Sequence, residues 1–98
     1  MEFQNFLCEN LKNIGNVKAK RMFGTFNINI DSINLGVICG KKWYLKQTKV
    51  GDDFLKEKNI EIPIGIKGNS YILEDFSDWN MIHNLVIITL KELKNKQR

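Results

Sequence analysis

An α+β fold follows from three features of the sequence. Apolar residues recur at helical spacing at both ends, two-residue alternation fills the first half, and 98 residues are the size of one domain around one core. The expected order is α-β(3)-α-β(2)-α, two layers with a single antiparallel sheet covered mainly on one face. Residues 1–98 read as one domain, without a repeat of solenoid period or a low-complexity linker.

Phe3, Phe6, Leu7 and Leu11 keep the i, i+3, i+4, i+8 spacing of one helix face, which predicts a helix over about 2–14 with Gly15 at its C-cap. In KAKRMFGTFNINID, residues 18–31, the basic start reads as a strand entrance and Gly24 as a bend. Phe26, Ile28 and Ile30 then alternate with Asn27 and Asn29, as in a strand with one buried face. Asp31-Ser32 turns the chain into a second strand, in which Ile33, Leu35, Val37 and Cys39 resume the alternation. After Gly40-Lys41, Lys42 to Lys46 forms a third, with Trp43 and Leu45 on one face and Tyr44 on the other.

Between Thr48 and Asn59, Val50, Phe54 and Leu55 suit a short surface helix. Ile62, Ile64 and Ile66 alternate again, Pro63 places them at an edge, and Tyr71 to Leu73 pairs back after a turn at 67–69. Ser77 or Asp78 caps a last helix whose stripe is Trp79, Ile82, Leu85, Val86, Thr89 and Leu93. The run Val86-Ile87-Ile88 widens that stripe, which fits either a deeply buried helix or a homodimer contact, so both monomer and homodimer stay open.

Composition narrows the function. With 43% hydrophobic and 27% charged residues the chain is an ordinary globular sequence, and no apolar run is long enough to span a bilayer. The acidic start MEFQNFLCEN lacks a basic signal region, so a cytoplasmic location is expected and no membrane contact. Residues 12–49 carry eight basic side chains and one acid, whereas residues 52–78 carry seven acids and three lysines. Such polarity steers an acidic partner to one side.

No reaction is legible. Cys8, Cys39 and His83 lack the spacing of a zinc site, and both cysteines read as core residues. The glycines do not match the dinucleotide or P-loop patterns, so no cofactor and no metal are implied. Lys18 and Lys20 point to one face of an extended chain and Arg21 to the other. Lysine-rich contact of this kind supports salt-sensitive phosphate binding and not base readout, so direct DNA contact is an alternative, not the leading reading.

Arg21-Met22-Phe23-Gly24, then Tyr44-Leu45-Lys46, then Tyr71 near the closing hairpin resemble the N-terminal domain of the TfoX/Sxy competence regulators. The resemblance runs from the first helix to the last. It implies the same α-β(3)-α-β(2)-α order, similar to the type III secretion chaperones, and a regulator without enzymatic activity that acts beside a transcription factor. Family members of full length carry a second, helical domain, so a stand-alone first-domain module is expected here. Thr25 stands in place of the family's second glycine, and the segment after Tyr71 lacks its usual proline. Carried over residue by residue, Met22, Phe23, Gly24, Leu45 and Tyr71 have structural roles, with Phe23 and Leu45 in the core. Arg21, Tyr44 and Lys46, with Lys18 and Lys20, are the candidate interaction residues for a protein partner. A nucleic-acid-binding domain and a chaperone-like dimer that holds a peptide are the alternatives.

Overall fold

The structure, a computed structural model, describes residues 3–65 and 69–96. Its elements in chain order are α1 (Phe3–Leu11), β1 (Val17–Met22), β2 (Thr25–Ile30), β3 (Ile33–Cys39), β4 (Lys42–Lys46), α2 (Lys49–Glu57), β5 (Ser70–Leu73) and α3 (Trp79–Lys96). The strands form one antiparallel sheet in the order β1-β2-β3-β4-β5. The α+β class with a single antiparallel sheet is therefore as expected.

The distribution of strands differs from α-β(3)-α-β(2)-α. Residues 17–22, read as an entrance, pair along their whole length with β2, so four strands precede α2. The run from Ile62 forms no regular strand. Ile64 makes an isolated bridge to Tyr71, the Ile72 N–H donates to the Pro63 carbonyl at 2.8 Å, and the Gly65 N–H donates to the Ser70 carbonyl at 2.8 Å. Pro63 has no N–H to give a ladder, which limits this segment to an irregular cover along β5. Ile66 and the first part of the 67–69 turn lie outside the described residues.

The three helices bury their apolar stripes against one face of the sheet. Leu7 and Leu11 from α1, Leu55 from α2, and Ile82, Leu85 and Val86 from α3 join Ile28, Trp43, Leu45 and Tyr71 in one core cluster. Each fully buried Leu or Ile contributes about 1.5–3 kcal/mol. Aromatic rings join α1 to the start of α3 and to the segment before it: Phe3 and Phe76 meet edge to face at 5.1 Å, and Phe6 and Trp79 at 5.8 Å. Asp78 caps α3 by accepting the Met81 N–H at 3.2 Å. In the Val86-Ile87-Ile88 run, Val86 is buried, Ile88 packs on the core, and only Ile87 is exposed. Burial thus takes up most of the stripe's extra width.

β3 breaks its own alternation. Asn27 pairs with Val37, but Asn29 pairs with Asn34, so β3 spends three steps where β2 spends two. Leu35 and Gly36 are both buried, and Gly36 has φ of 112°, the signature of a bulge. The Gly36 N–H is satisfied by the Asn34 side-chain oxygen at 3.1 Å, while Asn34 Nδ2 donates to Asn29 at 3.0 Å. Beyond the bulge the phase is reversed, so Ile38 points inward, Val37 outward, and Cys39 is exposed. The expected core position of Cys39 is therefore wrong, and the bulge is the reason.

Gly15 also has a different role from the expected C-cap. Helix α1 ends at Leu11, and a Cβ on Gly15 would lie 2.8 Å from the Asp31 carboxylate and from the Ile30 side chain. The glycine lets the loop pass against the β2–β3 turn. There Asp31 accepts the Asn16 N–H at 2.9 Å and the Lys94 ammonium at 2.8 Å, tying this turn to the end of α3. The Lys94 hydrogen bond, then that from Asn16, holds the Asp31 carboxyl below the usual carboxylate range. A depressed carboxylate stabilises the fold above its unfolded value of about 3.9, and that contribution disappears as pH falls through the lower folded value. Asp31→Asn should lower the unfolding midpoint near neutral pH. The gap to the wild type should close in acid titrations below about pH 4.

Candidate interaction surface on the first hairpin

The β1–β2 turn consists of Phe23 and Gly24, flanked by the pair Met22 and Thr25. Their φ values, 48° and 81°, are those of a two-residue type I′ turn, the connection that matches strand twist. Glycine adopts this backbone freely, but a phenylalanine does not. Phe23 is 99% exposed, so no core contact compensates its strained backbone. The expectation that Phe23 fills the core is overturned: turn geometry puts the side chain beyond the end of the sheet. Leu45, by contrast, is fully buried as expected.

The exposed apolar tip continues into Met22, 42% exposed, whose sulfur accepts from Asn27 Nδ2 at 3.2 Å. Behind it, Lys18, Ala19, Lys20 and Arg21 are all exposed. Among the described residues Lys18, Lys20, Arg21 and Lys46 form no ion pair, whereas Lys42 is held by Glu74 at 3.2 Å.

Register decides which of the candidate residues meet. One row across the sheet reads Lys20, Asn27, Val37, Tyr44, Ile72 on the face away from the helices. Lys18 lies on that face too, and so does Lys46, paired with Ser70. The neighbouring row, Arg21, Phe26, Ile38, Trp43, Leu73, belongs to the helix-covered face. Lys18, Lys20, Tyr44 and Lys46 therefore share an open face, with about 14 Å between the Lys20 and Tyr44 strands. Arg21 does not share it. It projects from the sheet's edge toward the other side, next to the hairpin tip.

A second polar cluster was missed by the sequence reading. The Tyr71 hydroxyl lies 2.8 Å from Asp52 Oδ1 and 3.0 Å from the Thr48 carbonyl, and Gln47 donates to the same carboxylate at 2.9 Å. Thr48 caps α2 by accepting the Gly51 N–H at 3.0 Å. Burial, then the hydrogen bond to Asp52, pushes the Tyr71 hydroxyl far above the ordinary tyrosine value. It stays protonated and fastens β5 to the start of α2, a structural task. Tyr71→Phe should cost about 1–2 kcal/mol in urea unfolding, because the carbonyl and carboxylate lose their shared donor. The readable signal was Thr48 three residues before Gly51, with an acid in the first turn.

The remaining reactive groups are dispersed. Cys8 is half-buried, and burial, then Glu9, pushes its thiol up, opposite to the shift that activates a nucleophile. His83 on α3 sits 3.3 Å from the Asn13 side-chain oxygen and tilts against Trp79.

In comparison with known families the chain matches the TfoX N-terminal domain over residues 9–81 of the 98. The chain belongs to the TfoX N-terminal domain family. No curated protein and no solved structure matches it. In this TfoX N-terminal domain the matched stretch runs from within α1 to the first turn of α3, and so contains the whole sheet. The Arg21-Met22-Phe23-Gly24 motif of the TfoX domain is its first hairpin tip, and Tyr71 is its buried link between β5 and α2. Among the described residues, no helix of the TfoX domain is long and apolar enough to cross a membrane.

Proposed function

We propose that this TfoX N-terminal domain is a non-enzymatic binding module, acting through protein contacts in transcriptional or competence regulation, and that the tip of the first hairpin is its contact surface. The observation that carries this reading is Phe23, fully exposed in a backbone that disfavours it. A side chain that lowers fold stability and packs on nothing has its use outside the domain. Arg21 and Met22 beside it supply a charge and a soft apolar surface, the mixture found at the centre of protein interfaces.

Affinity capture from cells, with bound proteins identified by mass spectrometry, tests the reading. The wild type should retain a defined partner, and Phe23→Asn and Arg21→Ala should each reduce retention by about tenfold, roughly 1.4 kcal/mol. Undiminished retention in both variants removes the hairpin from the interface.

A second reading rests on Lys18, Lys20 and Lys46, which share the open face with Tyr44 and have no ion-pair partner among the described residues. Phosphates on the lysines and a base on the tyrosine ring would make this face a single-strand platform. It predicts gel-shift retardation that weakens steeply with salt and disappears in Tyr44→Ala; absence of retardation at low salt removes it.

A further inference from the structure

We infer that β1 is an open sheet edge built to accept an extended acidic segment of a partner protein as an added strand. The inference rests on the binding reading above and specifies the partner's chemistry and mode. In a two-residue hairpin the residues flanking the turn exchange both backbone hydrogen bonds, and this exchange recurs at every second pair. Met22, Lys20 and Lys18 therefore bond to β2, while Arg21 and Ala19 direct their N–H and C=O groups away from the sheet. Among the described residues no backbone bond outside the sheet takes up those groups. Lys18 through Met22 are exposed without interruption, so no side chain shields them.

The sheet's two edges are treated differently. At β5 the outer edge is covered, because Pro63 and Gly65 hydrogen bond to Ile72 and Ser70. At β1 nothing described corresponds to that cover. An uncovered edge is normally a liability, and charge decides which strands it can pair with. A second copy of β1 would set Lys18, Lys20 and Arg21 against themselves, which disfavours self-pairing. Lys18 and Lys20, which share one face, favour a strand with acids at alternate positions. Asp31, at the β2–β3 turn, is already held by Asn16 and Lys94. Phe23 and Met22 stand at the end of this edge, where an apolar residue of the added strand would meet them. Main-chain bonds supply affinity in this mode, and the alternate side chains supply selectivity.

Nuclear magnetic resonance on the isotope-labelled full chain tests this with a capped peptide of alternating Glu and Val as probe, at low salt. The expected result is slowed hydrogen exchange at the Ala19 and Arg21 amides, with α3 unchanged. Ala19→Pro removes an outward N–H without taking a bond from the β2 ladder, and should weaken the peptide by about tenfold. The double variant Lys18→Gln, Lys20→Gln should weaken it similarly, and decides the matter if Ala19→Pro does not fold. No protection at millimolar peptide, equal protection by a Lys and Val peptide, undiminished binding by the folded variants, or stronger protection of the same amides by oligothymidylate each overturns the inference. Partner capture that depends on Phe23 while the peptide leaves these amides unprotected removes strand addition alone. Peptide protection with capture indifferent to Phe23 removes the hairpin-tip reading instead.

Discussion

Replacing Gly36 with alanine is expected to remove about 3–5 kcal/mol of stability, a large part of what a domain of this size holds. Two costs add at this position. The backbone sits at φ of 112°, open only to glycine, and a Cβ would lie 1.9 Å from the Tyr44 carbonyl oxygen on β4. The clash is with backbone in the middle of the sheet, so no side-chain rotation relieves it. Gly24→Ala separates the two costs. Gly24 also has positive φ, 81°, but a Cβ there meets nothing within 4 Å. Its replacement should cost about 1–2 kcal/mol, the conformational part alone. Urea titrations of both variants, compared at their midpoints with equal slopes, check the difference. Equal losses would mean that the close approach of β3 and β4 is not tight.

The second large effect belongs to Trp43. Its side chain is fully buried on the helix-covered face of β4, between Ile38 on β3 and Leu73 on β5. Trp43→Ala should cost about 3–5 kcal/mol, from lost burial and from the cavity left behind. Trp43→Phe should cost less than about 1.5 kcal/mol, for a specific reason. The indole Nε1 is buried and finds no hydrogen-bond partner among the described residues, so the ring's only polar group contributes nothing that phenylalanine lacks. Unfolding followed by circular dichroism gives both numbers without relying on tryptophan emission. A loss in Trp43→Phe as large as in Trp43→Ala would show that a phenyl ring does not fill the site.

These two residues mark what was and was not legible in the sequence. Trp43 was, because Lys42 to Lys46 alternates cleanly and a period of two fixes which side chains are buried. The same holds for Ile28 and Ile30 in β2, and the helical period placed Leu7, Leu11, Ile82 and Leu85 in the core. Gly36 was the signal for the bulge, since a lone glycine inside an alternating strand marks a change of phase. Read as a continuous strand, residues 33–39 put Val37 and Cys39 inside; with the bulge, Ile38 takes that place.

Phe23 was misread for a related reason. Hydrophobicity alone places a phenylalanine in the core, and only the pairing of Met22 with Thr25 reveals that Phe23 is a turn residue. A phenylalanine followed by glycine between two alternating runs is a weak hairpin signal beside Asn-Gly or Asp-Gly. The candidate site divided along the same line. Opposite orientations of Lys18 and Lys20 against Arg21 follow from strand geometry and hold in the sheet. The grouping of Arg21 with Tyr44 and Lys46 needed strand register, which periodicity does not contain. Tyr71 with Asp52, and Asp31 with Lys94, are contacts across 19 and 63 positions of the chain, beyond the reach of local pattern.

If the hairpin tip keeps Phe23 for binding at the expense of the fold, replacing it should stabilise the fold and damage binding. Phe23→Asn separates the two effects when stability and partner retention are measured on the same preparation. Asparagine before glycine is the preferred type I′ turn, so the expected result is an unfolding free energy about 0.5–1 kcal/mol above the wild type, together with partner retention reduced by about tenfold. A variant that retains its partner as well as the wild type does, whatever its stability, would show that Phe23 is not kept for binding.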